Sequence, residues 1–209
     1  MTDNIFARAH SLHRPSPDQA LPILLQDNAS RDFFFPATVQ EFAAALANLP
    51  ADHRDGITHL WLRRMPTKPR DRTPLAEFIC GSGVRVIVIY PWRVDGRRSL
   101  GRTKPSRQVV AQYLRFDATV THAQGQWWVG FTAHALKRFY LEHLLCHEVG
   151  HHVDWYARRW SKANARQVEE FADQYAVQWG PRVITVDPGH HALPSIEQTS
   201  SREGKDGPK

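Results

Sequence analysis

After Thr132 the apolar residues of this chain change their spacing. Leu136, Tyr140, Leu144, Leu145, Val149, Val153, Tyr156 and Trp160 recur at helical intervals, the pattern of a long helix with one buried stripe. Before that point the pattern belongs to strands. GITHLWLRRM (56–65) is rich in β-branched and aromatic residues, and VRVIVIYPW (84–92) is a nearly continuous apolar run opened by GSG and closed by Pro91. VVAQYLRFDATV (109–120) and QWWVGF (126–131) flank THAQG, which predicts a hairpin with Gly125 at a positive φ. A sheet followed by long helices is an α+β domain.

Two more helices frame this plan. Thr38 and Glu41 form a capping-box signature ahead of Val39, Phe42, Ala43, Leu46 and Leu49, a helix that backs the sheet and stops at Pro50. ANARQVEEFADQYAVQW repeats the helical period through Val168, Phe171, Ala172, Tyr175, Ala176 and Trp179. It is expected to end at Gly180-Pro181, after which PRVITV adds a short edge strand. With 209 residues, 42% hydrophobic content, seven Trp and ten Phe, the chain can fill one sizeable core. The expected organisation is a loosely ordered leader over 1–30, carrying Pro15, Pro17 and Pro22, one domain over 31–186, and a polar tail over 187–209.

Cys80 and Cys146 lie far apart and form no CxxC pair, which argues against a disulfide framework or thiolate metal site and suits a cytoplasmic location. No secretory signal is read at the N-terminus, and no apolar run approaches the ~20 residues a membrane span requires. The formal charge of +6 is concentrated in 63–72 and 93–107.

Within the long helix stands His147-Glu148-Val149-Gly150-His151, an HExxH motif. Residues four apart share one face of a helix, so two imidazoles at 147 and 151 can bind one zinc ion together. Glu148, beside them, has the general base and acid role of this motif. A catalytic zinc takes a third protein ligand, and the next helix offers Glu169 and Glu170. They lie about 100° apart around the axis, so only one can face the metal. If it is Glu169, Asp173 follows one turn later on the same face, where it can accept the outer N–H of a ligating histidine. The ordinary alternative for EEFAD is an exposed acidic patch.

HEVGH followed by EEFADQYA resembles the zincin metallopeptidases of gluzincin type, in particular the compact ImmA/IrrE-like or minigluzincin proteins. The motif match covers about 146–176, and the order of helix, sheet, HExxH helix and glutamate helix from Thr38 to Trp179 agrees with that group. The resemblance implies a zincin-like fold with a small, mostly antiparallel-edged sheet of about four strands. It also implies His147, His151 and Glu169 as Zn2+ ligands, Glu148 as catalytic base and a peptide or protein substrate. The basic loops have no counterpart in the family pattern, and the helix-turn-helix that often accompanies ImmA/IrrE-like domains is not found.

Neighbouring residues have plainer readings. His152 projects from another face as a surface or packing histidine, and His143 is a structural neighbour one turn before His147. Asp154 either orients His151 or caps a surface charge, and Cys146 is a small buried hydrophobe. Gly150 costs roughly 1 kcal/mol relative to Ala in a helix interior, so a close neighbour is expected there. Tyr156, Tyr175, His190 and His191 are candidate donors to a developing oxyanion. QWWVGF is a candidate edge strand for an extended peptide.

Metal-assisted peptide hydrolysis is therefore the leading expectation. A nucleic-acid-associated module, or a protease acting on DNA-bound proteins, would instead use the basic loops to neutralise phosphates. A self-processing enzyme whose leader occupies the cleft is a third expectation.

Overall fold

The structure is a computed structural model that describes residues 12–66, 74–157, 161 and 163–184. The chain runs β1 (Ile23–Gln26), β2 (Phe33–Phe34), α1 (Val39–Ala47), α2 (Ala51–Arg54), β3 (His59–Leu62), β4 (Ala76–Gly81), β5 (Val84–Ile89), β6 (Trp92–Arg93) and β7 (Arg97–Gly101). It continues through α3 (Arg107–Leu114), β8 (Thr119–Ala123), β9 (Gln126–Gly130), α4 (Ala133–Arg138), a π-helical stretch (Phe139–Leu145), α5 (Cys146–Ala157) and α6 (Ala165–Val183). This is a mixed α+β chain. No described helix is long and apolar enough to cross a membrane.

The main sheet has the order β1-β3-β5-β4, with β1, β3 and β5 parallel and β4 antiparallel at one edge. Alternation along its strands supplies two apolar layers. Leu60, Leu62, Ile87 and Ile89 join the helices in the main core with Phe42, Leu46, Tyr140, Leu145 and Val149. Trp61, Val84, Val86 and Val88 belong to a second cluster with Leu12 and Tyr90. Antiparallel β2-β6 and β7-β9-β8 form two small separate sheets.

The α1 helix starts as its sequence requires. The Thr38 hydroxyl accepts from the Glu41 N–H at 3.2 Å, while the Glu41 carboxylate accepts from the Thr38 N–H at 2.8 Å.

Several expectations are corrected. Ile23–Gln26, inside the supposed loose leader, is a strand paired in register with β3, and Leu12 is buried. Residues 107–114 are helix, not strand. The Ser106 hydroxyl accepts from the Val109 N–H, and Val109, Val110, Tyr113 and Leu114 follow a helical spacing that reads equally as an apolar strand. Only 119–123 pairs with β9, through a turn in which Gln124 and Gly125 have φ of 52° and 72°.

Gly180-Pro181 does not stop the last helix, which runs on to Val183. Gly180 lies so close to the Glu142 carbonyl that no side chain fits, Val183 is buried, and the Asn48 amide donates to the Val183 carbonyl at 2.9 Å. Packing outweighs the hydrogen bond lost at the proline. The rest of the expected PRVITV strand, the 187–209 tail, His190 and His191 lie outside the described residues, as do 67–73 of the first basic loop.

Candidate metal centre

Gly150 decides how the site is assembled. A β-carbon there would stand 2.8 Å from the Ala172 Cα and 3.0 Å from the Tyr175 Cβ, so α5 and α6 pack backbone against backbone. Val168, Ala172, Tyr175 and Ala176 are the buried face of α6. With those residues turned inward, Glu169 and Asp173 come to the histidine face of α5. Glu170 points elsewhere and pairs with exposed Arg166 at 2.7 Å.

His147 Nε2 and His151 Nε2 are 3.0 Å apart. The Glu169 carboxylate reaches to 3.5 Å from the first nitrogen and 3.8 Å from the second. Two Zn–N bonds of about 2.0–2.1 Å at a tetrahedral angle hold their nitrogens roughly 3.3–3.4 Å apart, so the donor set fits a zinc-sized ion. It fits chemically as well: two imidazole nitrogens confront each other beside a carboxylate, the arrangement a divalent cation neutralises. His147, His151 and Glu169 thus form a group able to hold a metal ion.

Asp173 Oδ1 lies 3.1 Å from His147 Nδ1, close enough to hold that proton but off the axis of the ring N–H. The charges reinforce one another. Burial pulls His147 down, but Asp173, Glu169 and Glu148 together carry it up to about 10. His147 in turn holds Glu169 and Asp173 below the usual carboxylate range. His151 is lowered by burial and by the neighbouring His147 charge.

Glu148 is buried beside the histidines and is pushed up to about 7 by burial, with Glu169 adding to the rise. The positive charge of His147 and a hydrogen bond from the Phe78 backbone N–H oppose that shift. A carboxyl group poised near neutrality suits proton transfer in both directions.

Glu148 faces a cleft of about 560 Å³ whose opposite wall is β4, from Ala76 to Cys80, with Trp155 and Val168 also lining it. This strand was missed in the sequence. Ser82 and Gly83, with φ of 52° and 81°, form the turn of a tight β4-β5 hairpin, so GSG joins two strands instead of merely opening one. QWWVGF does not play the edge-strand role expected of it. It contributes β9, the central strand of its own sheet, with both edges already paired.

Tyr175 is likewise displaced from its expected role: it is buried, its hydroxyl meets His53 Nδ1 at 2.9 Å, and its ring packs against Trp179. Tyr156 lies on α5, and its side chain is outside the described residues. His152 is a packing residue whose Nε2–H donates to the Asp55 carbonyl at 2.8 Å and whose ring meets Phe78 edge-on. Asp154 is buried and lines the cleft. The buried Cys146 thiol donates to the Leu141 carbonyl at 3.8 Å, and burial pushes it up to about 12. Comparison with protein-family models, curated proteins and solved structures finds no match to this chain.

Proposed function

We propose that this protein is a zinc-dependent metallopeptidase of the compact gluzincin kind. The observation that carries the reading is the convergence of two imidazole nitrogens 3.0 Å apart with the Glu169 carboxylate, next to the buried carboxyl group of Glu148. His147, His151 and Glu169 would hold the ion, and Asp173 would keep the His147 proton on Nδ1. Zinc supplies Lewis acidity for hydrolysis when bound. Glu148 takes a proton from the attacking water and delivers it to the departing amine nitrogen.

The cleft wall suggests how a peptide lies. β4 is an edge strand, and the Phe78 N–H already points at Glu148. An extended substrate pairing with β4 would bring its backbone past the catalytic carboxyl group. In the second basic segment Arg93 pairs with Asp95 at 3.0 Å and Arg97 lies over Trp128, so local partners take up part of the charge that suggested nucleic acid. The peptidase reading is preferred for that reason. Metal analysis combined with peptide-library digestion tests it: a wild-type protein that binds no zinc and cleaves no peptide overturns the reading.

A further inference from the structure

A second group of potential ligands, His143, His147 and Asp173, lies next to the first. His143 is buried, stacked on Phe139 at 5.3 Å, and stands one turn before His147 with ring centroids 5.9 Å apart. Its two nitrogens are both engaged by α3 and its cap. The Gln112 side-chain amide contacts Nε2, and Arg115 Nη2 is 3.4 Å from Nδ1.

These contacts decide what the cluster can be. A guanidinium only donates, so Nδ1 of His143 is the acceptor and the ring proton sits on Nε2. That proton requires the oxygen of the Gln112 amide, whose two ends exchange by a half turn. A metal ion at His143 would displace both partners and lie against the Arg115 charge, so a second ion site is disfavoured. What the cluster does instead is surround Asp173. The carboxylate is placed among His147, His143 and Arg115, all within its electrostatic reach.

We propose that His143, clamped by Gln112 and Arg115, is a positioning residue that fixes the Asp173 carboxylate against His147 and so sets the presentation of His147 Nε2 to the metal. The geometry favours this over simple packing. Asp173 lies off the N–H axis of His147 in the absence of a cation, so its own hydrogen bond does not hold it in place. Arg115 is exposed, and its attachment to the buried His143 is how α3 reaches the site. Loss of partners of this kind characteristically weakens metal affinity ~10–100-fold.

This inference rests on the metal-site reading above, and the experiment separates the two. Zinc affinity of the full chain is measured by competition with a chromophoric chelator, alongside the visible spectrum of the Co(II)-loaded protein. The variants are Arg115→Ala, His143→Phe, Asp173→Asn and the double variant His143→Phe/Asp173→Asn, and metal-free thermal melts report folding. Arg115→Ala removes an exposed side chain and tests the clamp even if His143→Phe fails to fold.

Arg115→Ala and His143→Phe are expected to lower zinc affinity ~10-fold and to shift the Co(II) bands. On the Asp173→Asn background, His143→Phe should cost no more than ~2-fold further, because both act through the same carboxylate. Unchanged affinity in folded Arg115→Ala and His143→Phe overturns the positioning role alone, as does a full additional loss on the Asp173→Asn background. A wild-type protein without zinc affinity, or a His147→Ala variant that binds as well as wild type, overturns the metal reading and this inference with it.

Discussion

Gly150 of α5 and Ala172 of α6 are in contact through their backbones, with 2.8 Å between the Ala172 Cα and the place a Gly150 β-carbon would occupy. The site depends on this approach, because Glu169 and Asp173 ride on α6 while both imidazoles ride on α5. Gly150→Ala gains roughly 1 kcal/mol of helix propensity. It must also push two helices apart against backbone atoms that cannot rotate away, and overpacking of this kind costs about 1–3 kcal/mol. A net loss of stability by chemical denaturation is expected, together with weaker zinc binding as Glu169 moves outward. Gly150→Ala protein with wild-type stability and wild-type metal affinity would show that the helices can separate freely.

Glu148 and Glu169 are both acidic and lie close together, yet their variants should fail differently. Glu148→Gln removes the proton carrier and leaves the ligand set intact, so zinc is retained while peptide hydrolysis falls about 10²–10⁴-fold. Glu169→Gln removes a ligand. Its zinc affinity should fall by more than the ~10–100-fold that losing an outer partner costs. Glu170→Gln disturbs only the pair with Arg166 and serves as the control. Metal content and initial rates of the three proteins check this, and equal zinc occupancy in all of them contradicts Glu169 as a ligand.

The local half of the site was legible and the non-local half was not. His147, Glu148 and His151 occupy one helix, where spacing alone fixes which side chains share a face. Choosing Glu169 over Glu170 required the rotation of α6, which is set by the burial of Val168, Ala172, Tyr175 and Ala176 against its neighbours. The β4 wall was hidden because GSG marks a turn between strands as readily as the start of one. β1 was hidden because an edge strand with alternating half-buried and exposed residues, including Leu24, has no strong apolar run. Tyr175 illustrates the opposite error: an aromatic hydroxyl on the right helix was a plausible donor until its partner, His53, arrived from a distant part of the chain.

Gly180 is the other glycine whose hydrogen is indispensable. A β-carbon at this position would drive into the carbonyl oxygen of Glu142 in the π-helical stretch, and no rotamer relieves a clash between backbones. Gly180→Ala should therefore destabilise at the upper end of the ~1–3 kcal/mol overpacking range or beyond, despite Ala being the better helix former. Val177→Ala, at an exposed position on the same helix, should stay within about 0.5 kcal/mol of wild type. Denaturant midpoints of the two variants make the comparison, and similar midpoints would refute the close approach of α6 to the π-helical stretch.

His59 gives the fold a predictable acid limb. It is fully buried at the start of β3, its Nδ1 is 2.9 Å from the Thr58 hydroxyl, and the His13 ring stands edge-on at 6.0 Å. Burial, with the His13 charge, lowers its pKa below the ordinary histidine value, and a hydrogen bond to the His13 backbone offsets this only in part. The folded state thus takes up the proton less readily than the unfolded chain, whose histidines titrate near ~6.5. Below that pH the unfolded state binds more protons, so stability falls as the pH drops and is flat above it. His152, also lowered by burial, acts in the same direction. Thermal melts of the metal-free protein between about pH 8 and pH 5 should show a falling midpoint on the acid side. His59→Leu should flatten part of that fall and leave the contribution of His152. If His59→Leu reproduces the wild-type pH dependence in full, the buried imidazole of β3 is not what the acid attacks.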